Sequence, residues 1–168
     1  EVTNKFKKFV MQVLASGENP KQGRYLSKNN NNILRLKTIK KAFPNAIIII
    51  PFRNPIQQAI SLSQQHIKFV EMNLTEPFIG QYMSWLGHFE FGPVHRPYWF
   101  GKERAYLNAK IGKNDFNYWL AIWVNTYQFL LKSAPSDSIF VSALPKLTIG
   151  SIVKNIPSSK RAPSPQLP

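Results

Sequence analysis

Phe43-Pro44-Asn45-Ala46-Ile47-Ile48-Ile49-Ile50-Pro51-Phe52-Arg53-Asn54-Pro55 reads as a buried strand that delivers a guanidinium to the start of a helix, with Ser61 eight residues past the arginine. Four consecutive isoleucines cannot alternate between core and solvent, so the strand is expected to be covered on both faces. That is the habit of parallel sheets flanked by helices. Asn54 is expected to cap the following helix, with Pro55 at its first position, where a missing N–H costs nothing. Open α/β sheets bind ligands at the carboxyl ends of their strands, and here that end carries Arg53 beside a helix N-terminus, whose dipole favours anions. A phosphate is the natural guest.

Upstream of this stretch, Arg24-Tyr25-Leu26-Ser27-Lys28 is predicted as a short strand. An asparagine of the run Asn29 to Asn32 would then cap a helix from Ile33 to Ala42. That helix would turn Ile33, Leu36 and Ile39 or Phe43 inward and Arg35, Lys37, Lys40 and Lys41 outward, which completes a strand–helix–strand unit. Before it, residues 2–15 place Val2, Phe6, Phe9, Val10, Val13 and Leu14 with amphipathic spacing, and Gly17 and Pro20 would end that helix. Downstream, a helix from Pro55 to Val70 would send Ile56, Ile60, Ile67 and Val70 to the core. Residues 71–114 lose clear periodicity and read as an irregular aromatic insertion or lid. From Phe116 to Leu131 the positions Phe116, Trp119, Leu120, Trp123, Tyr127, Leu130 and Leu131 repeat at helical spacing, and Ser138–Ser142 reads as a last strand.

These residues resemble a family. Arg-Asn-Pro with a serine eight positions after the arginine, preceded by a hydrophobic strand and Phe-Pro-Asn-Ala, looks like the 3'-phosphate-binding segment of sulfotransferases. Those enzymes use 3'-phosphoadenosine 5'-phosphosulfate (PAPS) as co-substrate. Arg24 to Lys28, the helix after it and the aromatic helix around Asp115-Phe116-Asn117-Tyr118-Trp119 are similar to further parts of the family. The resemblance spans residues 24–147 and is densest over 43–66. It implies an α/β fold with a parallel central sheet flanked by helices, of the P-loop-like sulfotransferase architecture. It also implies transfer of a sulfuryl group to a hydroxyl or amine acceptor, with Arg53 and Ser61 on the nucleotide's 3'-phosphate.

Members of the family begin with a strand and a Gly/Ser/Thr-rich loop around the 5'-phosphosulfate, and no such loop is legible in these residues. The expectation is therefore an incomplete sulfotransferase-like domain over residues 1–156, inactive on its own, followed by a disordered Pro/Ser-rich tail over 157–168. The segment Phe140-Val141-Ser142-Ala143-Leu144-Pro145 also departs from the strand end common in the family.

The chain has 168 residues, enough for one domain with a real core, and 43% of them are hydrophobic. A net charge of +14, from 22 Lys and Arg against 8 acids, favours anionic neighbours: nucleotides, polyanions or acidic surfaces. The absence of cysteine rules out a disulfide scaffold and any thiolate site and leaves the compartment open, with the cytoplasm favoured. The longest apolar run, Ala46 to Ile50, is far short of the ~20 residues a membrane helix needs, so no transmembrane segment is expected.

Arg53 can offer paired N–H donors to two phosphate oxygens, which a lysine cannot imitate. Ser61 lies seven residues after Asn54, hence on nearly the same helix face, about 10 Å along. Spacing alone equally allows an Arg53 paired with an acid and a surface Ser61. Lys28, at the end of its expected strand, could lend positive potential to the same crevice. Many relatives carry a histidine just after the equivalent lysine as a general base, but here Asn29 to Asn32 stand instead. His66, on the helix of Ser61, is the candidate base, against the reading of a structural histidine. His88 and His95 fall among the aromatics Phe89, Phe91, Tyr98 and Trp99, which could line an acceptor pocket or pack beneath a loop, and their spacing is not that of a metal-binding helix. Two rival functions stand: a basic nucleic-acid-binding module, against which no RNA- or DNA-binding motif is legible, and a P-loop nucleotide kinase relative, whose Gly-x-x-x-x-Gly-Lys-Ser/Thr loop is missing.

Overall fold

The structure, a computed structural model, describes residues 1–18, 23–101 and 111–142. The chain is α/β: five α-helices, one 3-10 turn and two short strands among the described residues. Its described residues divide into two compact units, one formed by the stretch up to Phe52 together with Ser133–Ser142, the other lying between Arg53 and Lys132.

In the first unit, α1 (Val2–Ala15) has the predicted bounds, and Val10 is its buried anchor. Phe6 meets Phe43 edge to face at 5.5 Å, and Phe9 meets Tyr25 at 6.2 Å. The expected strand at Arg24–Lys28 does not form, and the segment is irregular. No strand pairs with it among the described residues, and an extended segment without a ladder partner has nowhere to place its amides except water. Asn29 caps as expected, accepting from the Asn31 N–H at 2.8 Å. The helix it starts opens as a 3-10 turn, Asn30–Arg35, before settling into α2 (Leu36–Ala42). Leu36 and Ala42 are buried there.

Strand β1 (Ile49–Phe52) pairs in parallel with β2 (Ile139–Ser142), Ile50 opposite Phe140 and Phe52 opposite Ser142. The expectation of a strand covered on both faces is corrected: Ile50 is buried, while Pro51 and Phe52 are exposed. A two-stranded sheet gives few positions with neighbours on all sides. Pro51, which has no N–H to donate, suits a strand paired along one edge. Lys40, expected in solvent, turns inward instead: its ammonium donates to the Pro44 and Ala46 carbonyls at 2.7 and 3.0 Å and to Asp137 at 2.5 Å. It thereby ties the turn before β1 to the turn before β2.

In the second unit, α3 (Pro55–Thr75) runs five residues past its expected end. Its core face carries Ala59 and His66, both buried, with Leu62 packed against the same core. Ile56, Ile60 and Ile67, expected inside, are exposed. The insertion expected to be irregular contains a helix, α4 (Phe78–Leu86), which stops at Gly87 in the left-handed conformation, φ 69°. Helix α5 (Phe116–Ser133) is capped by Asp115, whose carboxylate accepts from the Asn117 N–H at 2.8 Å. Trp119 is fully buried at the centre of the unit, with Tyr118 and Ala59 beside it and Leu62, Phe91, Ile111, Leu120 and Ile122 packed around them. Residues 102–110 of the expected insertion, and 143–168 with the expected 157–168 tail, lie outside the described residues.

Candidate functional site

Where β1 ends, the chain passes through Phe52 and Arg53 into the cap of α3. Asn54 accepts through Oδ1 from the amides of Ile56 and Gln57, at 3.0 and 3.2 Å, and its carbonyl accepts from Gln58 at 3.0 Å. Pro55 has no amide hydrogen. The amides of Ile56, Gln57 and Gln58 are therefore engaged and Pro55 has none, so an anion here meets side chains and the helix dipole rather than those N–H groups. No acidic residue sits in that first turn to oppose it.

Arg53 is exposed, and no hydrogen bond or ion pair engages its guanidinium among the described residues. Two turns on, Ser61 is half-buried and its Oγ accepts from the Gln65 side-chain amide at 3.3 Å. That bond uses a lone pair and leaves the hydroxyl hydrogen to donate elsewhere. Ser61 thus stands two turns into the helix, about 10 Å along its axis from the Asn54 cap, and Arg53 immediately precedes that cap. Lys28 is exposed in the irregular segment that replaces its expected strand.

His66 is buried, and its Nδ1 accepts from the Gly92 amide at 3.1 Å. Its ring lies 5.1 Å from Trp119 and 5.7 Å from His95. Burial, and then the nearby Lys113 ammonium, hold it below the usual imidazole range. The Gly92 amide needs Nδ1 unprotonated, so the proton of the neutral ring is on Nε2. This is the setting of a histidine built into a core.

His95 is also buried. Its Nδ1 donates to the Phe89 carbonyl at 2.8 Å and its Nε2 accepts from the Tyr118 hydroxyl at 2.9 Å. Burial is the main reason its pKa is lowered to about 4. The Tyr118 partnership could not be read from the sequence, because 23 residues separate the two and no motif links them. His88, half exposed, lies 3.5 Å from Glu90. Of the aromatics expected to line a pocket, Phe91 packs on Phe69 at 5.1 Å, Phe89 carries the Arg96 guanidinium at 4.9 Å, and Trp99 is exposed.

Among the described residues no group of three or more His, Asp or Glu could hold a metal ion. No helix among them is long and apolar enough to cross a membrane.

The layout is that of an α/β protein in which a strand hands an arginine to a capped helix. The profile of the sulfotransferase family matches residues 2–107, which takes in α1, β1, Arg53, Ser61 and α4. The chain belongs to the sulfotransferase family. Among curated proteins and among solved structures nothing matches it.

Proposed function

We propose that this chain serves sulfuryl transfer from PAPS to a hydroxyl or amine acceptor, and that Arg53 and Ser61 hold the 3'-phosphate of the nucleotide. The observation that carries the reading is the exposed, unengaged guanidinium of Arg53 at the strand end, followed by a helix whose first turn lacks any acid. In this reading Arg53 supplies two parallel N–H donors to the phosphate, and Ser61 adds a hydroxyl donor from the same helix. Their work is to set the position of the donor. In-line transfer of a charged group depends chiefly on positioning and on neutralising developing charge. Lys28 is a separate, third candidate for the nucleotide. His66 is assigned no proton transfer, since its Nδ1 is occupied and its ring is packed.

The 168 residues contain no legible Gly/Ser/Thr-rich loop for the phosphosulfate end. The proposal therefore gives them the 3'-phosphate end of the nucleotide and no turnover by themselves. Isothermal titration with adenosine 3',5'-bisphosphate tests the first part. Arg53→Ala and Arg53→Lys should each weaken binding by about tenfold or more, the range of one charge-assisted bidentate contact. Binding that ignores both substitutions overturns the assignment, and measurable sulfate transfer by the isolated chain overturns the second part.

A further inference from the structure

The face of α4 that carries Phe78, Tyr82 and Trp85 has no role in the reading above. These aromatics recur at i, i+4 and i+7 and are 50%, 50% and 66% exposed. They form one surface: the Phe78 and Tyr82 rings stack at 5.9 Å, and Phe78 meets Trp85 edge to face at 5.7 Å. Leu74, at the end of α3, is 80% exposed, and Leu86, at the far end of α4, is 51% exposed. Half of three large rings and most of two leucines leave on the order of 500 Å² of apolar surface in water, the size at which a patch is commonly functional.

The stretch of sequence that carries this patch runs against the charge of the chain as a whole, and of its acids Glu71 and Glu76 are exposed while Glu90 is mostly buried beside His88. Residues 69–95, bounded by Lys68 and Arg96, hold three of the eight acids and none of the 22 lysines and arginines of a chain whose net charge is +14. Helix α4 itself carries no charged side chain. Glu76 stands at the corner between α3 and α4, its Oε1 accepting from the Phe78 amide at 3.4 Å, and so places a carboxylate at the Phe78 end of the aromatic row. Glu71 is exposed one turn before Leu74.

We propose that this surface docks a basic, amphipathic segment of a partner protein, with apolar side chains on the Phe78–Tyr82–Trp85 row and cations on Glu71 and Glu76. Charge decides among the possible occupants. An anionic lipid surface would bring its headgroups against the two carboxylates. A second copy paired face to face would bring the same uncharged α4 and the same acids, and so no cation from α4 for Glu71 and Glu76. A cationic amphipathic segment satisfies both the apolar centre and the acidic rim. The proposal does not depend on the sulfotransferase chemistry.

The probe is a short dye-labelled peptide of leucine and lysine patterned as an amphipathic helix, titrated with the full chain by fluorescence anisotropy. Its control is the same pattern with glutamate for lysine. The lysine peptide should bind, more weakly as salt rises, and the glutamate peptide at least about tenfold less well. Trp85→Ala should weaken binding by at least about tenfold, and Glu71→Lys should weaken it and flatten the salt dependence. Leu131→Ala, which removes an exposed side chain of α5, should change nothing. Since Trp85 is exposed, far-UV circular dichroism should show the variant folded, and Trp85→Phe should retain most of the binding. Equal binding of both peptides, or indifference to Trp85→Ala, overturns the proposal. So does Trp85-dependent self-association in sedimentation, or Trp85-dependent pelleting with phosphatidylserine vesicles.

Discussion

Tyr118 donates its hydroxyl to Nε2 of His95 across 2.9 Å, and the direction of that bond is forced from the other side of the ring. The Phe89 carbonyl can only accept, so Nδ1 carries the hydrogen and Nε2 is left as the acceptor. The neutral imidazole has both nitrogens satisfied, whereas protonation would require the Tyr118 hydroxyl to turn and accept instead. Protonation also has to overcome burial, which with the Lys113 and His66 neighbours holds the pKa down at about 4 against an ordinary 6.5. The unfolded chain therefore binds the proton more readily than the folded one. Stability from this group is complete above pH 6.5 and is lost as the pH falls from there towards about 4, with His66 contributing in the same direction. Urea midpoints measured across that range should decline with acid. Tyr118→Phe should cost about 1 kcal/mol at neutral pH and make the decline shallower, by letting the His95 pKa rise. A midpoint unchanged between neutral and mildly acid solution would contradict the argument.

Gly92 makes the His66 contact possible. Its φ is +80°, a conformation side chains resist, and a Cβ there would come within 3.0 and 3.1 Å of the Met83 side chain and 3.2 Å of the Phe69 Cβ. The methionine tail can shift, but the helix-borne Phe69 Cβ cannot do so cheaply. Gly92→Ala should lower stability by about 1–3 kcal/mol, read as a fall in the thermal midpoint. A variant as stable as the parent would show that this turn adopts another backbone conformation.

Patterns held by a few consecutive residues were legible in the sequence, and patterns that depend on which helix lies next door were not. Asn54-Pro55 announced a helix start because cap chemistry is local, and the bounds of α1 followed from its periodicity and Gly17. On α3, the apolar positions Ile56, Ile60 and Ile67 offered a face as good as the one used. The core instead takes Ala59, Leu62 and His66, because a small residue at 59 lets Trp119 approach. Helix α4 gives little sequence signal because its aromatics at 78, 82 and 85 lie outside, so the usual sign of a buried stripe is absent. The strand expected at Arg24–Lys28 rests on likeness to the family's preceding strand, and likeness does not supply the ladder partner a strand needs. At the candidate site the helix cap was anticipated, but its consumption of the Ile56 and Gln57 amides follows from geometry alone.

Lys40 is the side chain on which the register of the small sheet rests. It is 18% exposed, and its ammonium gives hydrogen bonds to two carbonyls before β1 and to Asp137 before β2, beside the Ile139 N–H that donates to the Ile48 carbonyl at 2.9 Å. Lys40→Met keeps the aliphatic stem and strands the carbonyls, so it should destabilise the fold by about 1–3 kcal/mol in chemical denaturation. Asp137→Asn should cost less, because the amide oxygen still accepts and both carbonyl bonds persist. The Lys40 hydrogen bond lowers the Asp137 pKa from its ordinary 3.8, so the charged form is favoured in the folded chain. That contribution is present above the ordinary value and fades only as the pH drops through the lowered one. An Asp137→Asn variant less stable than Lys40→Met would reverse this ranking.

Ser61 and Asn54 share a helix face but are expected to fail in different ways. Ser61 is half-buried, and its hydrogen bond from Gln65 among the described residues is long at 3.3 Å, so Ser61→Ala should leave the helix and the melting curve nearly unchanged. If the hydroxyl serves the nucleotide phosphate, the same change should weaken adenosine 3',5'-bisphosphate binding by about threefold to thirtyfold, the value of one hydrogen bond to a charged group. Asn54→Ala removes the acceptor for two amides and should cost about 1 kcal/mol of stability. It also releases the Ile56 and Gln57 N–H groups to an anion, so its effect on nucleotide affinity should be smaller than that of Arg53→Ala, despite the larger effect on folding. Calorimetric titration and thermal melts on the same three variants separate the two roles. Loss of stability without loss of binding in Ser61→Ala would return that serine to the surface.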